Sequence, residues 1–353
     1  MISPVMFLVG VLLCAEPVKI AVSSQDESLV GTVVSTNPQG VHVLLEDQSP
    51  RIVPWYELRA GLLPAEVGSE WEGVAAQAWR AYERLARGDA SGALPIYQSL
   101  SRTYLWEQGP QSMDVCDGLV RCLIAANRRK QAVEPMLASF AAEGLPGAES
   151  VPRSTLLDPD LNLRRDLPPV FARTDTGRLV ESVEAQGRLG LLHAYFALVG
   201  SADTDRHDLI ARINELKRAR GSRDAGLVLV EQVSFAQAHP DETVRVSARE
   251  ALVRRTQTQR GEWIEVWARL GIGVSLIRSD TIEVRDQGLI ELIHIIVRLG
   301  DVEPELTLFA AQIAHDYLSD TDRPAWGSTL MQEAQRNIQR GHARSAVRGE
   351  QEQ

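Results

Sequence analysis

The chain has 353 residues, 44% of them hydrophobic and 24% charged, with a formal net charge of −10. This is the composition of a globular chain long enough for two domains with a sizeable core, which excludes a disordered protein. The acidic balance works against broad binding to nucleic acid or an anionic membrane, because neutralising phosphates needs an excess of Lys and Arg.

Residues 1–15 form the first element. Val5 to Leu13 is an uncharged apolar run followed by Cys14-Ala15-Glu16. Nine residues are too few to span a bilayer and suit the apolar core of a secretory signal peptide, with cleavage after Ala15. No Lys or Arg precedes the run, and Leu13 is bulky both for a cleavage site and for lipidation of Cys14; a buried first strand of a cytoplasmic protein is the alternative.

Residues 17–60 read as strands. Val18, Ile20 and Val22 alternate with Lys19 and Ala21, and further short runs occupy Leu29–Ser35, Gly40–Leu45 and Arg51–Val53. Turn chemistry at Asn37-Pro38-Gln39-Gly40 and Asp47-Gln48-Ser49-Pro50 separates them. Four or five short strands predict a small β-barrel or meander, and the phrasing of Gly31-Thr32-Val33-Val34, Gly40-Val41-His42-Val43 and Ile52-Val53-Pro54-Trp55 resembles SH3-like or Sm-like barrels. Sm-like barrels bind RNA through basic loops and stacked aromatics. Here the candidates Arg51, His42, Trp55 and Tyr56 stand among Glu46, Asp47 and Glu57. A packing or docking module is therefore expected, with Trp55 and Tyr56 seating it on the first helix.

Residues 68–143 carry the most regular pattern. Trp71, Val74, Ala78, Tyr82 and Leu85 recur at helical spacing until Gly88-Asp89, and Ala90, Ala93, Leu94, Tyr97 and Leu100 restart it. Val115, Leu119, Cys122 and Ala126 repeat the design, break at Asn127, and resume with Ala132, Val133, Met136, Leu137 and Phe140. Ala93 and Ala132 fall where two helices must approach closely. The stretch Leu85–Leu100, with Gly88, Asp89, Ala93, Leu94 and Tyr97, resembles the middle of a tetratricopeptide repeat, and Asn127, Ala132 and Met136 match it less fully. A third fragment, Trp267, Leu270 and Gly271, fits the start of such a repeat, but Glu283 stands where the small residue belongs. The resemblance implies an α-solenoid whose concave face binds a peptide or protein.

Residues 144–174 hold Pro146, Pro152, Pro159, Pro168 and Pro169, which forbid a long helix, so the segment is read as a linker. Leu156, Leu157, Leu161, Leu163, Leu167, Val170 and Phe171 are costly to leave in water, which predicts that it lies along a helical surface or in a groove. Residues 175–341 then return to helical periodicity from Arg178 onward. Helix starts are signalled at Asp241, at Pro304 and at Asp322-x-Pro324. Gly341 is expected to close the last helix, leaving 342–353 as a disordered polar tail. The predicted fold is mainly α: a tetratricopeptide-like solenoid or helical array behind a small N-terminal β-barrel or meander.

Chemistry is sparsely signalled. Cys116 and Cys122 lie six apart on one predicted helix, about 120° around and about 9 Å along it, so they cannot pair without unwinding it. Asp158, Asp160 and Asn162 have calcium-loop spacing, but Leu163 and Pro169 occupy the places of the turn Gly and the closing Glu. Asp203, Asp205, His207 and Asp208 are a denser cluster that could hold a divalent cation, but the free N–H groups and dipole of a following helix explain it better. His193, His294 and His315 are expected in the core, and Arg128, Arg129 and Lys130 at a solvated turn. No phosphate loop, paired-Cys zinc pattern, HExxH helix or GxSxG elbow is present. No cofactor is expected, and no catalytic or metal-ligating residue is assigned.

The expected function is that of an exported, non-catalytic adaptor for a protein or peptide partner, located in the periplasm or cell envelope. The first alternative is an enzyme using the Asp203/Asp205/His207 cluster, and the second a structural envelope component.

Overall fold

The computed structural model describes residues 18–21, 28–58, 67–142, 157–175, 178–179, 187–220, 224–321 and 323–351. The leader at 1–15 and the first part of the linker, to residue 156, lie outside them. Twelve α-helices and a small antiparallel sheet make up the fold among the described residues, which divide into a unit ending at Ser154 and a unit beginning at Thr155.

The first unit opens with β1 (Val18–Ala21), β2 (Ser28–Asn37), β3 (Gly40–Leu45) and β4 (Pro50–Val53), paired in sequence order as an antiparallel meander. A bulge between Val33 and Ser35 shifts the register of β2 on β3. Alternation places Val41, Val43 and Val53 inside, because period 2 turns every second side chain to one face.

Four helices follow: α1 (Glu72–Ala86), α2 (Ala90–Tyr104), α3 (Pro110–Ala125) and α4 (Arg129–Ala142), each packed on the one before. Both hairpins turn on residues in the left-handed region, Gly88 at φ 80° and Asn127 at φ 54°. Asp89 then caps α2 by accepting from the Gly92 amide at 2.8 Å. Ala93 and Ala132 are fully buried, as close helix contact requires.

The aromatic residues join sheet to helices. Trp55 stacks on Trp71 and Tyr56 on Tyr82, each with ring centroids 5.2 Å apart. The β2–β3 turn is clasped from both sides. Trp55 Nε1 donates to the carbonyls of Asn37 and Pro38, Tyr104 donates to Pro38, and Gln39 bonds the Ser112 side chain on α3. Arg129 at the second hairpin turn is buried, only 4% exposed, which corrects the reading of that basic cluster as a solvated corner. Cys116 and Cys122 are buried free thiols, and burial pushes each up to about 12.

The second unit begins with a two-stranded hairpin, β5 (Leu157–Asp158) and β6 (Leu163–Arg164), followed by an irregular stretch to Asp175. Helices α5 (Gly187–Gly200), α6 (Arg206–Arg220), α7 (Ala225–Ala238), α8 (Glu242–Thr258), α9 (Trp263–Ile277), α10 (Ile282–Arg298), α11 (Pro304–Asp320) and α12 (Pro324–Gln351) form the array. Successive helices from α7 to α12 pack on one another, and α5 packs on α6 and α7. Asp224 and Asp241 cap α7 and α8 by accepting from Leu227 and Thr243 amides.

Two expectations need correction here. Arg178 and Leu179 are not helical, 180–186 lie outside the described residues, and α5 is described from Gly187. The last helix does not stop at Gly341 but runs to Gln351, because one interior glycine costs only about 1 kcal/mol and the Ala, Arg, Glu and Gln after it favour helix. In keeping with the mismatch at position 283, Glu283 is exposed on the first turn of α10 and makes no close helix contact. α9 and α10 meet instead at Gly273 and Gly288, where a Cβ on Gly288 would lie 2.6 Å from the Gly273 carbonyl oxygen. Two bare backbones set that helix separation.

Candidate functional site

In the first unit, polar groups gather where α2 packs on α3 and α1 lies alongside. Tyr97 is fully buried, and the carbon bearing its hydroxyl lies against Gly118, one turn beyond Asp114 on α3. Neither the Tyr97 hydroxyl nor Asp114 Oδ2 finds a hydrogen-bond partner among the described residues, and Trp79 Nε1 on α1 lacks one as well. Burial raises the Asp114 carboxyl well above the ordinary carboxylate range; Asp117 adds like charge and Arg121 opposes it. Burial likewise raises Tyr82 and Tyr56, and the neighbouring Asp114 and Glu57 carboxylates add to it. The result is a carboxyl within electrostatic reach of Tyr56, Tyr82 and Tyr97 whose Oδ2 has no hydrogen-bond partner among the described residues. Asp114 and Tyr82 are only half-buried, so solvent reaches the edge of this cluster.

In the second unit, the Pro-rich stretch is a strap laid across the helices. Leu167 and Val170 are fully buried, and Leu163 and Phe171 nearly so. Its main-chain carbonyls, which prolines keep out of any helix or sheet ladder, are taken by side chains of the array. Arg188 on α5 donates to Leu161, Trp267 on α9 to Arg165 at 2.7 Å, Gln237 on α7 to Pro169 at 3.0 Å, and Arg278 to Phe171. Trp263 Nε1 donates to Asp158 Oδ2 at 3.0 Å. The calcium-like spacing is thereby explained as a turn. Asp158 Oδ1 accepts from the amides of Asp160 and Leu161, and Arg165 pairs with Oδ2. Burial alone would raise Asp158, but those bonds and the Arg165 charge outweigh it and hold the carboxyl below its usual range.

Within the strap, Arg164 holds Asp166 through two parallel bonds, Nε to Oδ1 at 3.0 Å and Nη2 to Oδ2 at 2.8 Å, with almost no exposure of either side chain. Glu303, just ahead of α11, is pushed up to about 7 by burial; the Asp166 carboxylate adds to this and Arg165 opposes it. A carboxyl raised in the folded state binds its proton more tightly than the unfolded chain does. Its contribution is full below the unfolded value near 4.5 and is lost as pH climbs through about 7. Glu303→Gln is expected to abolish that loss, making the variant about 3 kcal/mol more stable than the parent at pH 8 and nearly equal at pH 4. Urea titrations at the two pH values check this.

Where the strap ends, Phe171, Ala172 and Arg173 line a cavity of about 390 Å³ shared with α9, α10 and α11. Val274, Ile277, Ile313 and Tyr317 give it an apolar floor, while Arg278, Arg285, Asp316 and Asp320 stand around it.

The residues singled out from sequence do not converge. Asp203–Asp205 form a short 3-10 turn leading into α6, and Asp205, His207 and Asp208 are all exposed. His193 is buried on α5, His315 lies against Gly327 between α11 and α12, and His294 is half-exposed 3.8 Å from Glu265. Among the described residues no group of three or more His, Cys, Asp and Glu is arranged to hold a metal ion, and no helix is long and apolar enough to cross a membrane. Asp114 and Arg285 carried no sequence signal of their own, and Trp267 was readable only as a position on a helix face or as a repeat start.

Comparison of the chain with protein-family models, curated proteins and solved structures finds no match.

Proposed function

We propose that the protein is an exported, non-catalytic adaptor whose tetratricopeptide-like hairpins, α1 to α4, bind a peptide segment of a partner protein through a basic side chain. The observation that carries this reading is the Asp114 carboxyl, whose Oδ2 lacks a partner among Tyr56, Tyr82 and Tyr97. A Lys or Arg from outside supplies both the donor and the charge that this group lacks, and the aromatic faces favour a cation. Such entry ionises Asp114, so affinity rises with pH as its raised carboxyl gives up the proton. Export rests on the apolar run Val5–Leu13, with cleavage after Ala15.

The test is capture from an envelope extract by the immobilised full chain, its Asp114→Asn variant and its Gln98→Ala control, followed by titration of the captured protein. The parent and the control are expected to retain one partner that Asp114→Asn binds at least about tenfold more weakly, the effect of losing a charged hydrogen bond. Identical capture by all three chains rejects the assignment of Asp114. A native N-terminus at Met1 rejects export by the leader.

A further inference from the structure

The cavity at the end of the strap is lined by Arg173, Arg278 and Arg285 and by Asp280, Asp316 and Asp320. Two of its three carboxylates are engaged: Asp316 accepts from Thr174 at 3.1 Å and from Gln312 at 2.8 Å, and Asp320 pairs with Arg173 at 2.6 Å, while Asp280 is exposed at its edge. Arg285 is not so engaged. Its Nη2 donates to the main-chain carbonyl of Asp280, a neutral acceptor, and its Nε is shielded from solvent with no partner among the described residues. Asp286, next in sequence, is turned to the Tyr317 hydroxyl at 3.0 Å and faces Arg323 at 3.7 Å.

Arg285 sits on the first turns of α10, whose N-cap Thr281 makes no side-chain cap bond. The helix therefore adds its own positive end to the guanidinium charge. Beneath lie Phe171, Val274 and Ile313, all nearly excluded from solvent. The volume of about 390 Å³ falls in the range of small-ligand sites, roughly 300–1,000 Å³.

We infer that this cavity is a binding site for a carboxylate carried on an apolar body, with Arg285 receiving the carboxylate and the Phe171–Val274–Ile313 floor receiving the apolar part. Such chemistry arrives either as the C-terminal residue of a peptide or as a free alkyl carboxylate. The strap itself favours an extended chain in this place, because Arg278 already holds a main-chain carbonyl at the cavity's edge. This site is independent of the basic-peptide reading of the first unit and stands or falls without it.

The probes are N-acetyl-Ala-Leu-Leu with a free carboxylate, the same peptide as its C-terminal amide, octanoate and octanol, each titrated calorimetrically into the full chain. The free acid is expected to bind at least about tenfold more tightly than the amide, the effect of a hydrogen bond to a charged group. Octanoate should likewise exceed octanol. Whichever acid binds more tightly identifies the source. Arg285→Gln is expected to erase both preferences while Arg285→Lys keeps part of them, with thermal unfolding confirming that each variant is folded. Equal binding of acid and amide together with equal binding of octanoate and octanol overturns the proposal, as does an acid preference that survives in folded Arg285→Gln. Should neither variant fold, the acid-over-neutral preferences of the parent decide the result.

Discussion

Asp166→Ala is expected to destabilise the second unit by about 3–5 kcal/mol, because it takes a two-pronged carboxylate partner from a buried guanidinium. Arg164 gives both Nε and Nη2 to the Asp166 carboxylate, and the two side chains are 3% and 1% exposed. Removing one partner takes away both of these bonds where water cannot follow. Removing both, as in Arg164→Met with Asp166→Leu, takes away the guanidinium charge as well and costs less. Guanidinium unfolding of the parent, the single variant and the double variant checks the order. If the single change is as mild as the double, the pair is not isolated from solvent as described.

The second large effect falls on Trp267. Trp267→Ala is expected to cost about 3–5 kcal/mol through lost packing, since the side chain is 1% exposed and lies edge-on to Trp263 with centroids 5.2 Å apart. Trp267→Phe keeps most of the bulk but leaves the Arg165 carbonyl without its donor at 2.7 Å. The phenylalanine should therefore lose about 1–3 kcal/mol, the cost of a buried acceptor left unmade. Hydrogen exchange gives the readout that separates this from general loosening. Amides from Leu161 to Phe171 should gain exchange in the Phe variant before those of α10 and α11 do. Uniform loss of protection across the unit contradicts the assignment of Trp267 to the strap.

Both expectations concern a segment that the sequence presents as a linker. Its prolines show that it is neither helix nor central strand, and its Leu, Val and Phe show that it cannot sit in water. Which groups would receive its carbonyls is not local information. Gln237, Trp267 and Arg278 lie 68, 102 and 107 positions away from the residues they bind. Trp267 read as one more apolar position on a helix face, or as the start of a repeat. Strands β1 to β4 and the turns at Gly88 and Asn127 were legible because alternation and turn chemistry are encoded within a few residues. Gly273 and Gly288 were not, since a glycine inside a helical pattern reads only as a weakness until another backbone lies against it. Arg285 and Asp114 were hidden for a related reason. A charged residue in a helix is normally solvated, and only the packed neighbours show which one lacks its partner.

The thiols of α3 give the two units separate clocks. Cys14, Cys116 and Cys122 are the cysteines of the whole chain, so the second unit carries none. In a Cys14→Ser chain, every reactive sulfur is buried on one helix and held almost wholly as thiol by burial. Alkylation must wait for α3 to come away from its neighbours, and its rate then measures the free energy of opening the first unit alone. Global unfolding followed by circular dichroism reports both units together. The difference between the two gives the second unit's opening without cutting the chain.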